Sequence, residues 1–394
     1  MLKVLSGNHS AAFGALLSRI NFVAAYPITP QTQIIEKLAE FVDNGVLNAK
    51  YVRVESEHSA MAACVGASSV GARAFTASSS HGLIYMAEMA FWASASRLPI
   101  VMAISCRALG PPWNIGNEHT DILALRDSGW IQIFAESNQE VLDTVIQAYR
   151  IAEDERVLLP VMVGLDAFTL SHTSEPVELP NQETVDHFLP PRSDKPYLLS
   201  PENPFTFGNM SNPTEHMELR FMHHTALRDA KNVILEADKE WESLFGRSYG
   251  GLLDEFMCKD AEVVIVVIGA SSGDAKEAAV VLRKEGIKAG VLRIRVIRPF
   301  PSEEVRNLLS RVKAVAVVDR DLSPGSGGIL VSEVKSALYN LRCRPFVKGY
   351  IVGLGGRDVT VGDYLAIFRR TLKSYEEGDV QEDWFNLNLE VLEK

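Results

Sequence analysis

The sequence predicts an α/β protein: a doubly wound parallel sheet followed by a second, smaller α/β unit. Short apolar runs alternate with helix-length segments from residue 22 onward. The runs show little period-2 alternation, which is typical of strands that are buried on both faces. The alternation stops near residue 171 and resumes near residue 260, which indicates two units.

The first unit is expected to cover residues 1–175. Its predicted strands are Phe22–Tyr26, Tyr51–Val54, Ala72–Ala77, Ile100–Ser105, Trp130–Phe134 and Leu159–Val163. Its predicted helices are Gln31–Val42, Glu57–Val70, Gly82–Ser94 and Gln139–Glu153. Because helices separate most successive strands, we expect a parallel sheet with helices on both faces.

Residues 176–255 contain a Pro-rich connection and then a charged helix across Glu215–Phe245. This composition predicts an arm that packs over the first domain or over a partner. The second unit is expected at 256–394. Its predicted strands are Glu262–Ile268, Lys288–Val296, Ala314–Val318 and Val347–Gly353. Its predicted helices are Ala275–Glu285, Ser302–Ser310 and Gly327–Tyr339, and the acidic tail is expected to be peripheral.

Composition excludes several classes of function. The chain has 394 residues, 47% of them hydrophobic, and a net charge of −11, which argues against a nucleic-acid partner. Isolated cysteines argue against a disulfide framework, a structural zinc site, or an iron–sulfur cluster held by this chain alone; they are Cys64, Cys106, Cys258 and Cys343. The first residues are too short for a signal peptide and no apolar run has membrane-spanning length, so we expect a cytoplasmic protein without membrane contact.

Thr29 lies in a Tyr-Pro-Ile-Thr-Pro segment after the first strand. One interpretation makes it the N-cap of the next helix, with Pro30 at the first helical position, where a missing N–H costs nothing. The other makes this helix N-terminus an anion site, where the Thr29 hydroxyl donates to a substrate carboxylate. The sequence leaves both open.

Glu57 opens the helix after the next strand. It can simply stabilise the helix dipole from the first turn. However, residues 60–67 are small or apolar almost all round, which predicts a buried helix. Burial would raise the pKa of the Glu57 carboxyl into a range useful for proton transfer.

Arg107 follows the strand Ile100–Ser105 and is expected at the same sheet edge as Thr29 and Glu57. Either it forms an ordinary surface ion pair, or it clamps a substrate carboxylate bidentately. The loop after it, with Trp113 and several polar groups, is suited to cover a small site. His119 in this loop has two interpretations, an acid or base and a hydrogen-bonding fixture, and a lone loop histidine is more often the fixture.

Glycine-rich turns mark the second unit. Residues 325–328 and 353–358 predict close backbone approaches, with a subunit contact as one explanation. A Gly-x-Ser-x-Gly turn at 269–273 has the spacing of a hydrolase nucleophile elbow, but no histidine follows Ser271. We therefore interpret it as a tight turn.

Six segments together resemble the α subunit of the 2-oxoacid:ferredoxin oxidoreductases, the multi-subunit family that includes pyruvate synthase. They are residues 25–31, 54–60, 107–121, 126–130, 168–177 and 352–360. The resemblance extends over nearly the whole chain. It implies a pyrimidine-side domain for thiamine diphosphate at 1–175, a connecting arm at 176–255, and a domain like the transketolase C-terminal domain at 256–394.

The resemblance also implies roles for individual residues. Glu57 matches the glutamate that bonds N1′ of the cofactor's aminopyrimidine, so that the thiazolium carbon can lose its proton. Arg107 and Thr29 match residues that hold the carboxylate of the 2-oxoacid. Ser80, His81 and Gly82 are implied as further cofactor-binding residues, and no residue of this chain is implied as a metal ligand.

The family reaction needs further groups that this chain lacks. Thiamine-diphosphate enzymes hold Mg²⁺ and the diphosphate with a Gly-Asp-Gly segment and a later asparagine, a pattern absent from this sequence. The resemblance therefore implies that Mg²⁺ and the [4Fe-4S] clusters lie on partner subunits of beta, gamma and delta type. Coenzyme A would accept the acyl group and ferredoxin the electrons, and the isolated chain would be inactive.

Pyruvate is the expected substrate, in oxidative decarboxylation or reverse synthesis, because Thr29 and Arg107 match a pyruvate-type site. Cys106, His81 and the Pro-Pro-Trp segment ending at Trp113 depart from the common pyruvate pattern. Pro-Pro-Trp resembles the branched-chain (2-oxoisovalerate) relatives, which are the alternative. Two other hypotheses are a non-catalytic assembly subunit, and a thiamine enzyme with another acceptor, such as transketolase or a lipoate-linked dehydrogenase.

Overall fold

The computed structural model describes residues 1–192, 198–202, 204, 206 and 208–392. Part of the predicted Pro-rich connection, at 193–197, 203, 205 and 207, lies outside the described residues, as do the last two residues of the predicted second unit.

The first part of the chain contains eight strands and nine helices within the described residues. The strands are β1 (Leu2–Ser6), β2 (Phe22–Ala25), β3 (Lys50–Arg53), β4 (Ala74–Ser78), β5 (Val101–Cys106), β6 (Ile131–Phe134), β7 (Val161–Asp166) and β8 (Ser174–Glu178). The helices are α1 (Gly7–Leu17), α2 (Thr32–Asp43), α3 (Glu57–Ser69), α4 (Ser80–Tyr85), α5 (Ala87–Ala95), α6 (Thr120–Ala124), α7 (Asn138–Ala152), α8 (Gln182–Phe188) and α9 (Pro213–Phe245).

The second part follows the long helix α9. Its strands are β9 (Leu253–Phe256), β10 (Val263–Val267), β11 (Ala289–Ile294), β12 (Val296–Arg298), β13 (Ala314–Asp319), β14 (Phe346–Ile351) and β15 (Asp383–Trp384). Its helices are α10 (Ser272–Lys284), α11 (Ser302–Leu309), α12 (Ile329–Leu338), α13 (Val361–Glu377) and α14 (Leu389–Leu392), with a 3₁₀ turn at Leu354–Gly356.

Two mostly parallel sheets confirm the predicted α/β fold. The first has the strand order β12-β6-β7-β5-β4-β2-β3, and only β12 runs antiparallel to its neighbour. The second has the order β15-β14-β13-β10-β11-β9, and only β9 is antiparallel. Their central strands are buried along their whole length, which explains the lack of period-2 alternation.

Several elements differ from the sequence prediction. The start of the chain, for which no element was predicted, forms β1 and the buried helix α1, which packs on α7. The single helix predicted at 82–94 is wrong, because the backbone at Met86 leaves helical geometry and separates α4 from α5. The long helix α13 was not predicted, and it covers one face of the second sheet.

Strand β12 connects the two sheets, because it follows β11 of the second sheet and pairs with β6 of the first. The prediction of one strand over Lys288–Val296 is wrong: the chain leaves β11 at Arg295, whose carbonyl accepts a hydrogen bond from the amide of Phe134, and then pairs with β6. Arg293 and Arg295 both form 2.8 Å ion pairs with the buried Glu140 of α7. These contacts fix the second sheet against the first. The predicted domain bounds stay a prediction. Strand β9 spans the boundary that was placed between residues 255 and 256.

Candidate active site

The carboxyl ends of four neighbouring parallel strands form one edge of the first sheet. Glu57 follows β3, Thr29 follows β2, Ser80 follows β4, and Arg107 follows β5. The sequence-predicted residues therefore share one edge, as expected when polar side chains follow parallel strands.

Glu57 lies in the first turn of α3 with its side chain turned inward. Ser56 caps the helix by accepting a hydrogen bond from the amide of Ser59, so the Glu57 carboxyl is not needed as a cap. The residue is only 6% exposed, and no other described side chain hydrogen-bonds to its carboxyl. Gly82 makes the room, because a Cβ at that position would collide with Oε1 of Glu57.

The surroundings of Glu57 favour its neutral form. Burial raises the pKa of the carboxyl, and a hydrogen bond from the residue's own amide offsets this only in part. Ser78 Oγ, which contacts the same face of Gly82, is also buried and has no hydrogen-bond partner among the described residues. Two polar groups without side-chain partners thus lie beside Gly82, an arrangement suited to a hydrogen-bonding ligand.

The guanidinium of Arg107 lies beside Thr29 and the loop after β5. Nη1 donates to the Thr29 carbonyl at 2.7 Å, and Nε donates to the Asn114 carbonyl at 3.3 Å. The residue is 3% exposed, and no carboxylate of the described residues forms an ion pair with it. The surface ion-pair interpretation is therefore wrong. Nη2 makes no hydrogen bond to a described residue, which suits it to bind a small anion.

Thr29 does not cap a helix. Helix α2 begins at Thr32, and Gln31 at the cap position makes no side-chain cap bond. The N-cap interpretation is wrong because residues 28–31 form a turn, closed by a hydrogen bond from the Gln31 amide to the Ile28 carbonyl. Thr29 is exposed at this turn, and its hydroxyl has no partner among the described residues.

Ser80 and His81 connect the turn after β4 to the loop after β5. The His81 Nε2 accepts a hydrogen bond from the amide of Gly110 at 3.0 Å, so this nitrogen carries no proton. Nδ1 lies 3.2 Å from the Ser80 hydroxyl, which itself donates to the Ala108 carbonyl. Nδ1 is therefore placed to donate to the Ser80 hydroxyl. Trp113 stacks on it with ring centroids 5.4 Å apart.

Asp121 joins the two strand ends and was not singled out from the sequence. Its Oδ2 accepts hydrogen bonds from the amides of Ser80, at 2.8 Å, and Arg107, at 3.0 Å. Its Oδ1 accepts from the amide of Ile122 at 2.7 Å. Ser80 has a positive φ of 48°, a strained conformation that needs such support. Asp121 therefore fixes the backbone on both sides of the site.

The second domain holds the loop that leads into α6, the helix that carries this aspartate. The amide of Gly356 donates to the Asn117 carbonyl at 2.9 Å, and the amide of Gly355 donates to Glu118 Oε2 at 3.2 Å. The His119 amide donates to the Arg320 carbonyl at 2.8 Å. The predicted close approach at 353–358 is confirmed, and it is made to the chain's own loop.

Gly116 tests the importance of this contact. A Cβ at Gly116 would collide with the carbonyl oxygen of Gly355, so Gly116→Ala should displace the loop and cost about 1–3 kcal/mol of stability. Gly66→Ala is the matched control, because a Cβ there meets nothing within 4 Å. Thermal or chemical unfolding would measure both. Equal stability for the two variants would contradict the proposed contact.

His119 forms a buried pair with Asp166 at the carboxyl end of β7. Nε2 lies 2.8 Å from Asp166 Oδ1, and Asn117 Nδ2 donates to Oδ2 of the same carboxylate at 2.9 Å. The pKa of Asp166 is lowered because His119 and other donors outweigh its burial. His119 therefore makes the fixed, buried contact that was expected of it.

Comparison with known proteins identifies the family. Residues 13–239 match the family described as "Pyruvate flavodoxin/ferredoxin oxidoreductase, thiamine diP-bdg", and residues 261–364 match "Pyruvate:ferredoxin oxidoreductase core domain II". The chain belongs to the 2-oxoacid:ferredoxin oxidoreductases, as an alpha-type subunit. The resemblance stated from the sequence is confirmed.

Relatives of this oxidoreductase subunit fall into two groups. It is 49% identical over 387 residues to the ketoisovalerate oxidoreductase subunit VorA of Pyrococcus horikoshii, covering 98% of each chain. It is 48% identical over 378 residues to the pyruvate synthase subunit PorA of Methanocaldococcus jannaschii, covering 95% of this chain and 96% of the relative.

Solved structures support the fold. The 2-oxoglutarate:ferredoxin oxidoreductase from Magnetococcus marinus superimposes with a TM-score of 0.72 at 19% identity, over 95% of this chain and 65% of the other. A split-gene transketolase superimposes with a TM-score of 0.51 at 16% identity, over 94% of this chain. Within the described residues of the oxidoreductase subunit, no helix is long and apolar enough to cross a membrane.

Proposed function

We propose that this subunit supplies the pyrimidine-side half of a thiamine-diphosphate site in an enzyme that oxidatively decarboxylates pyruvate, or synthesises it in reverse, with coenzyme A and ferredoxin. The observation that carries the proposal is the buried Glu57 carboxyl, which has no partner among the described side chains and faces a glycine. The hypothesis of a non-catalytic assembly subunit gives such a carboxyl no role.

The residues at this edge suit the cofactor. An aminopyrimidine ring offers a nitrogen that accepts a hydrogen bond and an amino group that donates one. Burial raises the pKa of the Glu57 carboxyl, and this carboxyl would share a proton with the ring nitrogen. The lack of a Cβ at Gly82 leaves the space in which this carboxyl lies. Ser80 and His81 would line the same pocket.

Each side chain has a simple task in this proposal. Thiamine diphosphate, when bound, supplies a nucleophilic carbon and an electron sink for decarboxylation. Glu57 would hold a proton at the ring nitrogen. Arg107 and the Thr29 hydroxyl would bind the substrate carboxylate and orient the neighbouring carbonyl. Trp113 stacks on His81 and lies near the Arg107 guanidinium, so it would cover this side of the site.

The other half of the site would come from partner subunits. The sequence lacks the Gly-Asp-Gly segment and later asparagine that hold Mg²⁺ and the diphosphate in related enzymes. Its four cysteines are free, and three of them are buried at separate places. We therefore infer that beta-, gamma- and delta-type subunits carry Mg²⁺, the [4Fe-4S] clusters and the contact with ferredoxin.

A substrate panel on the co-purified complex tests this function. We expect coenzyme A-dependent reduction of ferredoxin or a viologen dye, with a higher kcat/KM for pyruvate than for 2-oxoisovalerate. The branched-chain acid is the second candidate because Trp113 follows two prolines, and because the VorA subunits are at least as similar to this chain as the PorA subunits. A preference for 2-oxoisovalerate would select that candidate. No 2-oxoacid-dependent reduction would contradict both.

Asp121→Asn tests how the strand ends are positioned. The carboxylate accepts three backbone hydrogen bonds, and an asparagine would turn an N–H donor toward one of these amides. We expect kcat/KM for the 2-oxoacid to fall about 10-fold or more, mostly through KM, because Arg107 loses its backbone support. Steady-state kinetics measure this split. An unchanged KM would contradict the positioning role.

The same aspartate predicts a pH dependence. Burial raises the pKa of Asp121 to about 7, although the three amides lower it in part. Because the folded pKa lies above the unfolded value, protonation favours the folded state as the pH falls from 7 towards 4. The ionised form, which accepts all three bonds, prevails above pH 7, so KM should fall as the pH rises through 7. Asp121→Asn should abolish this step in the KM profile.

A further inference from the structure

A second cavity, of about 600 Å³, lies at a junction of three parts of the chain. Its walls are the loop 126–129, the middle of α9, and the segment 298–302 between β12 and α11. Because the loop 126–129 precedes β6, it lies at the amino ends of the strands, opposite the edge that carries Glu57. Junctions between domains are frequent ligand sites, and this volume suits a small molecule.

The cavity is basic in an acidic protein. Five cations line it, against the single carboxylate of Asp127; they are Arg126, Arg220, Arg228, Lys231 and Arg298. Lys231 is neutralised by Glu304 at 3.3 Å, and Arg298 by Glu333. The chain as a whole carries a net charge of −11, so this local excess of positive charge is a specific feature of the cavity.

Three of these arginines have little electrostatic compensation. Arg126 donates from Nη1 to a backbone carbonyl, and Arg220 makes no hydrogen bond or ion pair with a described residue. Arg228 lies 3.9 Å from the exposed Asp229, a contact that contributes little. The cavity therefore presents guanidinium groups that are free to bind a phosphoryl group bidentately.

A helix terminus also lines the cavity. Helix α11 begins at Ser302, which lines the cavity, and Pro301 at its cap position makes no side-chain cap bond. The helix dipole favours a phosphate here, but Glu303 and Glu304 of the first turn oppose it. The Ser302 amide already donates to the Phe300 carbonyl. Phe91 and Phe300 line the same space and offer aromatic faces to a planar base.

We propose that this cavity is a separate binding site for a nucleoside diphosphate. The phosphates would bind the free arginines and the start of α11, and the base would pack between the two phenylalanines. The bound ligand would connect α9 and α11 to the first sheet, so occupancy would stiffen the junction between the two domains.

Binding of ADP to the purified complex tests the proposal, by calorimetry without substrate. We expect saturable binding, one ADP for each copy of this chain. Arg228→Glu should weaken it about 10-fold or more, the effect of losing a charge-assisted hydrogen bond. Lys239→Glu is the matched control, since it reverses an exposed charge on the same helix outside the cavity, and it should leave the affinity unchanged.

Four results would overturn the proposal. They are the absence of saturable binding, equal weakening by Lys239→Glu, displacement of ADP by coenzyme A, and loss of a subunit from the Arg228→Glu complex. Displacement would assign the cavity to the substrate coenzyme. Subunit loss would make this basic surface a protein interface. Because the assay needs no turnover, its outcome is independent of the 2-oxoacid specificity.

Discussion

Glu57→Gln is expected to lower the turnover of the assembled complex about 10²–10⁴-fold, the usual effect of removing a general acid–base group. A glutamine has the same shape and fits beside Gly82, but it cannot exchange a proton with the cofactor ring. Ferredoxin or viologen reduction with saturating pyruvate and coenzyme A measures the effect. Glu57→Ala extends the test, since an assembly subunit would keep full turnover with either variant.

The stability of the Glu57→Gln variant separates a functional role from a structural one. Burial raises the folded pKa of Glu57 above its unfolded value, so the ionised acid costs stability as the pH rises past about 4.3. The neutral amide avoids this cost, and the variant should be at least as stable as the parent at neutral pH. Loss of turnover together with a large loss of stability would contradict the assignment.

Glu55→Gln is the matched control for this experiment. Glu55 lies two residues earlier, is exposed, and bonds to the Ser59 hydroxyl, which lowers its pKa. The chemical change is the same, but the carboxyl faces solvent. We expect turnover to change less than about twofold, as for most surface substitutions.

Arg107→Lys is expected to lower kcat/KM for the 2-oxoacid about 10²-fold, the second large effect. A lysine keeps the charge but loses the planar fork, and it cannot bind the Thr29 carbonyl, the Asn114 carbonyl and a substrate carboxylate together. Most of the loss should appear in KM for the 2-oxoacid, whereas KM for coenzyme A should not change. Initial-rate kinetics with each substrate varied in turn would measure both.

Arg156→Lys provides the comparison for Arg107→Lys. Arg156 is half exposed and pairs with Asp154 and Glu236 on the surface, where such pairs contribute little. Its replacement should leave both KM values unchanged. If Arg107→Lys also left KM for the 2-oxoacid unchanged, the proposed carboxylate clamp would be wrong.

Much of the fold follows from local pattern. The central strands were predicted within a few residues because β4, β5, β7 and β13 are buried on both faces and read as continuous apolar runs. The break at Arg295 could not be predicted, because a strand that passes between two sheets keeps the same local sequence character. Helix α1 was missed because its small buried residues show almost no amphipathic period.

Part of the candidate site was also predicted from local sequence pattern. Parallel strands place their following residues at one edge, which brought Glu57, Arg107 and Thr29 together from sequence alone. Asp121 was missed because its role depends on backbone amides of two distant segments. Its position in a polar loop gave no signal of complete burial. The N-cap interpretation of Thr29 failed because a turn delays the start of α2.

The glycine-rich turn at residues 353–358 was predicted only in part. Its spacing indicated a close approach, but a sequence does not say which backbone is approached. The structure places this turn against Gly116 and Asn117 of the site loop. The second domain therefore supports the candidate site directly.

A structure of the complete complex with thiamine diphosphate bound would test the central claim most directly. We expect the Glu57 carboxyl within hydrogen-bonding distance of N1′ of the aminopyrimidine, about 2.6–3.2 Å, with the diphosphate and Mg²⁺ held by a partner subunit. A carboxyl that faces bulk solvent, or an N1′ bonded by a residue of another chain, would contradict it.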